Sequence, residues 1–347
     1  MKIYLGLIVF LSLFMLFFPL AVSAGSNTKT DTVTASEYEQ TRKSESTQTT
    51  EETESKKNEA ENSPADTIKV LRTSSGRVVD VELYDYVVGC VASEMPAYYE
   101  REALKAQAVV CYTYAKWITR NSDSGKLDGA QVSDSAEKHQ KYMDESELKK
   151  KFGDKYNSYI SRIKECVNEV LGEYLTYENE PIMACYHALS AGQTQSAKTV
   201  WGNDIAYLQS VSAPGDELSP NFDNSVSLTQ AQFKEKVQAT GITGLSKTPS
   251  DWIKITEKNK SGYIIKAQIG DKTLTGTEVR SIFSLESAVF TVDYANGKFT
   301  FKTKGKGHQI GMSQYCADYM ARQGKTYKEI LLHFYPGTAL TAGRVTQ

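Results

Sequence analysis

An acid ends an apolar stripe in this chain. In LYDYVVGCVASEMPAYYE, residues 83 to 100, Leu83, Val87, Cys90, Val91 and Glu94 recur at the spacing that places side chains on one helix face. Pro96 disfavours helical geometry at Met95, so the helix is predicted to stop at Glu94. A carboxylate on a semi-buried face loses hydration in its ionised form. Its pKa rises, and it can hold a proton near neutral pH as a general acid must. At this point the alternative is a helix-end glutamate turned to solvent.

Lys105 and Tyr112 lie seven residues apart on the next predicted helix, about Glu100 to Thr119, away from its core stripe of Leu104, Ala108, Cys111, Ala115 and Ile118. Their spacing suits a groove beside Glu94 or a solvated surface equally well. In KGKGHQIGMSQY, Gly305, Gly307 and Gly311 bracket His308, Gln309, Ser313 and Gln314. A loop of this kind brings polar side chains and bare backbone to a polar ligand such as a sugar, or else is an ordinary strand-to-helix turn. The four histidines (His139, His187, His308 and His333) form no i, i+4 pair, and Cys185-Tyr186-His187 is only a fragment of a ligand set. No metal or cofactor is expected. Neither a nucleophile elbow nor a catalytic-cysteine signature is present.

The elements that must position these residues follow from pattern. An apolar run from Ile3 to Ala24 makes residues 1–25 a signal peptide or a membrane anchor, with Val22-Ser23-Ala24 fitting a cleavage site. Either reading puts the rest outside the cytoplasm. Residues 26–66, rich in Ser, Thr, Glu and Lys, read as a disordered linker, and residues 67–347 as one domain. That domain opens with strands IKVLR and RVVDVEL around Ser74-Ser75-Gly76, followed by helices Leu83 to Glu94 and Glu100 to Thr119 and a helical stretch from Asp144 to Leu171. Strands come next, with a turn at Asn179-Glu180-Pro181. After a helix from Thr229 to Gln238 come WIKITEK and YIIKAQIG, a helix at Gly276 to Phe283, and a hairpin closed by Asn296-Gly297. The segregated pattern argues α+β: a single domain with a mostly antiparallel sheet and flanking helices. A net charge of −2, from 40 basic and 42 acidic residues, gives no global bias toward nucleic acid. Five widely spaced cysteines read as buried free thiols rather than a disulfide framework.

Taken together, DYVVGCVASEMPAYYEREALKAQAVVCYTYA, TVWGNDIAYLQSV and GKGHQIGMSQYCADYMARQGKTYKEILLHFYPGTAL resemble the SpoIID/LytB domain family of stage II sporulation protein D, from about Ile68 to Leu340. The resemblance implies a lytic transglycosylase that cuts peptide-free peptidoglycan strands into 1,6-anhydro-muramic acid ends during engulfment or wall remodelling, beside an amidase that strips the stem peptides. It puts the catalytic glutamate of the EMP motif on Glu94. It also implies glycan-binding roles for Lys105, Thr194, Tyr207, His308 and Ser313, with Tyr112 and His187 at further motif positions. The chain departs from the pattern in several places. Tyr112 stands where many members have arginine, and Gln309 where a second glycine is common. His187-Ala188-Leu189-Ser190-Ala191-Gly192 replaces the usual His-Ser-x-Ser-Gly-Gly run. Ser133 and His139 occupy the positions of a cysteine pair that binds zinc in some members. A relative of autolysin-modifier type would use the same groove to hold glycan or stimulate an amidase without cutting.

Overall fold

The computed structural model of the protein describes residues 67–121 and 127–343. The amino-terminal segment and linker expected over residues 1–66 lie outside the described residues. Among the described residues, no helix is long and apolar enough to cross a membrane.

The chain runs β1 (Thr67–Arg72), β2 (Arg77–Glu82), α1 (Leu83–Glu94), α2 (Arg101–Asn121), β3 (Val132–Ser133), α3 (Glu145–Phe152), α4 (Tyr156–Val170), β4 (Glu173–Tyr177), β5 (Glu180–Pro181), β6 (Tyr186–His187) and α5 (Ala197–Trp201). There follow β7 (Asp223–Thr229), α6 (Gln230–Ala239), β8 (Ile253–Lys258), β9 (Ile264–Ile269), β10 (Lys272–Leu274), α7 (Gly276–Phe283), β11 (Phe290–Ala295) and β12 (Lys298–Lys304). Last come β13 (Met312–Ser313), α8 (Gln314–Arg322), α9 (Tyr327–Phe334) and β14 (Ala339–Ala342). The architecture is α+β. Strand pairing is antiparallel except for β1 with β3 and β6 with β13.

Two expectations shift. The helical stretch from Asp144 to Leu171 is two helices, broken where Gly153 adopts φ +53°. The turn placed at Asn179-Glu180-Pro181 is instead made by Glu178 and Asn179, both at positive φ, which frees Glu180–Pro181 to pair with β4. The Asn296-Gly297 hairpin forms with φ of 50° and 75°, the sign a two-residue primed turn requires.

α2 is the central post. Leu104, Ala106, Gln107, Val109, Val110, Cys111 and Thr113 are all buried, because α1, α4, β4, α8 and α9 pack around it. A second core fills the β-rich segment from β7 to β12. There Phe233 stacks on Phe299 at 4.1 Å, with Phe283 at 4.7 Å and Trp252 at 5.7 Å. Thr229 and Thr275 close capping boxes with Gln232 and Glu278, so α6 and α7 start on their own local chemistry. All five cysteines are unpaired thiols; four are buried and Cys185 is half-buried.

Candidate active site

α1 ends at Glu94 because Met95, preceding Pro96, is extended at φ −115° and ψ 141° while its N–H still donates to Val91 O. The half-buried Glu94 carboxylate accepts the Lys141 N–H through Oε1 at 2.8 Å. Ser93 Oγ donates to Lys141 O at 2.7 Å, so the incoming irregular segment is held on both sides of one residue. Gly89 permits this approach: a Cβ there would lie 2.5 Å from the Tyr142 ring and 2.6 Å from Met143 O. Lys151 Nζ donates to Ala92 O and Ser93 O at 2.8 and 2.9 Å, capping the carbonyl end of α1 with a cation.

Burial pushes the Glu94 carboxyl above its ordinary range. The Lys141 N–H, the Tyr186 hydroxyl and the ammonium groups of Lys141 and Lys151 offset part of that rise. The result is an acid that holds its proton longer than a surface glutamate but has donors ready for its ionised form. Burial is the strongest influence on it, followed by those donors and cations.

Tyr186 was not singled out by sequence. Its hydroxyl is enclosed and close enough to act on the Glu94 carboxyl, but completes no hydrogen bond to it or to any other described residue. It comes to Glu94 from β6, which pairs in parallel with β13: Tyr186 opposite Met312, and His187 opposite Ser313. The two histidines of the site read the Ile310 backbone in opposite senses. His308 Nδ1 accepts the Ile310 N–H at 3.1 Å, whereas His187 Nδ1 lies 3.1 Å from Ile310 O and must donate. His308 therefore carries its proton on Nε2, beside the Tyr186 carbonyl, and His187 Nε2 is a bare, enclosed acceptor with no partner among the described residues. The rings stand 5.7 Å apart. Burial and then Arg280 hold His308 down at about 4; burial and then His308 depress His187.

The glycine loop has the conformation its sequence suggests, with Gly305, Gly307 and Gly311 at φ of 75°, 104° and 70°. Gln309, where the family pattern favours glycine, also sits at positive φ, 65°, and is fully buried. Its side chain donates to Lys304 O at 3.1 Å.

The other anticipated residues divide. Ser313 Oγ donates to Asp216 at 2.7 Å, and Ser190 donates to the same carboxylate through N and Oγ at 2.8 and 2.6 Å. Asp216, fully buried in a 3₁₀ turn and missed by sequence, thus pins the loop after β6 to β13; burial lifts its pKa to about 6. Thr194 is buried, and its Oγ1 accepts the Val211 N–H at 2.9 Å. Tyr207 is buried beside Tyr177, with its hydroxyl accepting the Met183 N–H at 3.2 Å. Lys105 and Tyr112 make their contacts elsewhere. Lys105 pairs with Glu102 at 2.8 Å and Glu169 at 2.5 Å. Tyr112 is 3 % exposed and packs edge-on against Tyr174, under the Lys116 ammonium. The face they share meets α4 and β4, which spacing along α2 alone does not disclose. Ser133 and His139 do adjoin: the Ser133 N–H donates to His139 Nδ1 at 2.9 Å. Among the described residues no group of three or more His, Cys, Asp or Glu is placed to hold a metal.

These features define a class: an α+β domain in which α1, the 139–151 segment and β6 meet at one desolvated acid, with the glycine loop packed against β6. Comparison with known proteins agrees with that description. The family model for SpoIID, stage II sporulation protein, matches residues 72–177. Stage II sporulation protein D of Bacillus subtilis (strain 168) is 35 % identical over 79 % of this chain and 78 % of its own, and that of Bacillus amyloliquefaciens is 37 % identical over the same shares. The amidase enhancer of Bacillus subtilis (strain 168) is 27 % identical over 73 % of this chain and 40 % of its own. The chain belongs to the stage II sporulation protein D family.

Proposed function

We propose that the chain is a lytic transglycosylase of peptidoglycan, with Glu94 as acid and then base. The observation that carries this reading is the desolvated Glu94 carboxyl with the Lys141 N–H, the Tyr186 hydroxyl and two lysines set around it, and no carboxylate of the described residues among the groups that act on it most. A hydrolysing glycosidase ordinarily needs two carboxylates flanking the bond. One suffices if the substrate brings the nucleophile. Glu94 protonates the glycosidic oxygen as the bond to C1 of muramic acid breaks, and the C6 hydroxyl of the same sugar attacks C1. The Glu94 carboxylate then takes the proton from that hydroxyl, so no water is consumed and Glu94 is restored. The intramolecular attack gains from proximity. His187, His308 and the loop from Ser190 to Thr194 would hold the strand. Tyr207 and Ser313 support the packing around β6 and β13, whereas Lys105 and Tyr112 face α4 and β4. Action outside the cytoplasm, with residues 1–25 as signal or membrane anchor, belongs to the same proposal and rests on the apolar run of that segment. So does a peptidoglycan amidase as partner, a role suggested by the name of the amidase enhancer relative.

Glu94→Gln tests the assignment. It is nearly isosteric, but its amide has no proton to give at useful acidity. Cleavage of peptide-free strands, followed by chromatography of released fragments, is expected to fall at least about 1,000-fold, within the range attributed to acid–base catalysis. Cleavage near the wild-type rate would assign the acid elsewhere. The second reading, a non-cutting modifier of an amidase, has the amidase enhancer relative in its favour. It predicts no release of fragments by the wild type and faster peptide removal by an amidase in its presence.

A further inference from the structure

Apolar side chains gather at one exposed place beyond the end of α1. Among the described residues five large apolar side chains are exposed, and two of them, Tyr98 at 42 % and Leu218 at 67 %, are joined by a run of contacts. Tyr98 meets the buried Tyr99 edge-on at 5.6 Å, Tyr99 meets Tyr315 edge-on at 6.4 Å, and the Tyr315 hydroxyl donates to Leu218 O at 3.3 Å. Three segments hold this strip in place. The Tyr99 N–H donates to Pro96 O at 3.0 Å, closing a turn, and the Glu100 N–H donates to the fully buried Asp318 of α8 at 2.7 Å. The 3₁₀ turn Pro214–Leu218 lies flat on α8 at Gly215, where a Cβ would stand 2.3 Å from the Tyr319 ring. Arg322 lies 6.0 Å from the centre of the Tyr315 ring but is paired with Asp318, so its charge is already met.

The strip continues the candidate site. Tyr98 follows Glu94 by four residues, no more than about 14 Å of chain. The Tyr315 N–H donates to Ala188 O at 3.2 Å, next to His187, and Leu218 stands two residues from Asp216, which holds Ser190 and Ser313. A polymer longer than the sugars being cut must leave Glu94 over neighbouring surface. Here that surface is tyrosine ring and leucine side chain, with its one cation neutralised. An exposed apolar patch that adjoins a polar groove marks a place where a ligand lies. Tyrosine offers an apolar face to the C–H face of a pyranose and a hydroxyl to its rim. We propose that Tyr98, Tyr315 and Leu218 form a track for the glycan strand beyond the bond that is cut, recognising sugar rings by their apolar faces rather than by charge. The proposal rests on the reading of the chain as acting on peptidoglycan.

The test needs no turnover. Binding of a tetrasaccharide and of an octasaccharide of alternating N-acetylglucosamine and N-acetylmuramic acid to the Glu94→Gln protein is measured by calorimetry. The octasaccharide is expected to bind about 10-fold more tightly, the gain that covering the Tyr98 and Leu218 side chains supplies. Adding Tyr98→Ser and Leu218→Ser should lower that ratio about 5-fold or more, whereas adding Tyr98→Phe, which keeps the ring, should preserve it. Both positions are exposed, so the thermal midpoint of each variant confirms that it is folded. No gain with length, or a gain that the paired serine variant retains, overturns the proposal. A paired variant that binds both strands as before but no longer engages a peptidoglycan amidase also overturns it, and makes the strip a protein-docking surface. If the wild type cuts peptide-free strands and the ratio does not depend on Tyr98 and Leu218, this inference fails and the transglycosylase reading stands. If the ratio depends on them and nothing is cut, the reading of the reaction fails and the track stands.

Discussion

The segment from Asp223 to Lys304 and the segments around Glu94 bury polar groups in opposite ways. In the β-rich segment no enclosed side-chain nitrogen or oxygen lacks a partner among the described residues. Trp252 donates to Ser246 O, Ser287 to Lys304 O, and both helices begin at capping boxes. Elsewhere six enclosed atoms stand unpaired, and three of them, on Tyr186, His187 and Gln309, fall in β6 and the glycine loop. An unmade buried hydrogen bond costs about 1–3 kcal/mol. The first region is built for stability. The second accepts a penalty where a polar ligand would remove it.

The largest effect should come from the satisfied side. Phe233→Ala empties the centre of the aromatic cluster and is expected to cost about 3–5 kcal/mol in chemical denaturation, with cleavage per folded molecule little changed. A comparable loss of specific activity would mean that the two regions are not separable. Asp216→Ala comes next. It strands the Ser190 and Ser313 donors and should cost about 2–3 kcal/mol, and because it releases the loop after β6 from β13 it should lower cleavage as well. Loss of stability with full specific activity would place Asp216 outside the site's support.

A smaller effect is the pH dependence contributed by His139. Burial, and then Lys138, hold it at about 4 against an ordinary value of 6.5. A depressed histidine contributes stability that is present above the unfolded value and lost as pH falls from about 6.5 to about 4, where the ring gains a proton and Nδ1 can no longer accept the Ser133 N–H. His308, also at about 4, slopes the same way; Asp216, raised to about 6, slopes the other way and loses its contribution as pH rises through 6. His139→Gln keeps an acceptor that does not titrate. Thermal midpoints of the two proteins should therefore diverge between pH 6.5 and 4 in favour of the variant, and parallel curves would contradict the buried, neutral ring.

Tyr186→Phe is the smallest in stability and the sharpest in contrast. Deleting an unpaired enclosed hydroxyl should leave stability unchanged or raise it by up to about 1 kcal/mol, while cleavage falls about 10-fold as the ionised Glu94 loses a donor. A clear loss of stability would show that the hydroxyl is already satisfied.

What the sequence disclosed tracks how local the cause is. α1 and its end at Glu94 follow from apolar spacing and one proline, and the β11–β12 hairpin from Asn296-Gly297. The short β6–β13 pair, the β4–β14 pair and the 3₁₀ turn that buries Asp216 join distant segments of no more than seven residues each, too short to show a period. For the same reason Glu94, His187 and His308 were visible as motif residues, whereas Tyr186, Lys151, Asp216 and Arg280 were not. Lys105 and Tyr112 show the reverse failure: helical spacing placed them correctly on one face, but the partners of that face, Glu169 and Tyr174, come from elsewhere in the chain.

The central claim is that one carboxyl and the substrate's own hydroxyl perform the cleavage. Peptide-free glycan strands digested in water labelled with oxygen-18, with the fragment ends read by mass spectrometry, test it most directly. The account predicts fragments ending in 1,6-anhydro-muramic acid with no label incorporated, and none from Glu94→Gln. Reducing ends carrying oxygen-18 would mean that water is the nucleophile, and would contradict a site built on Glu94 alone.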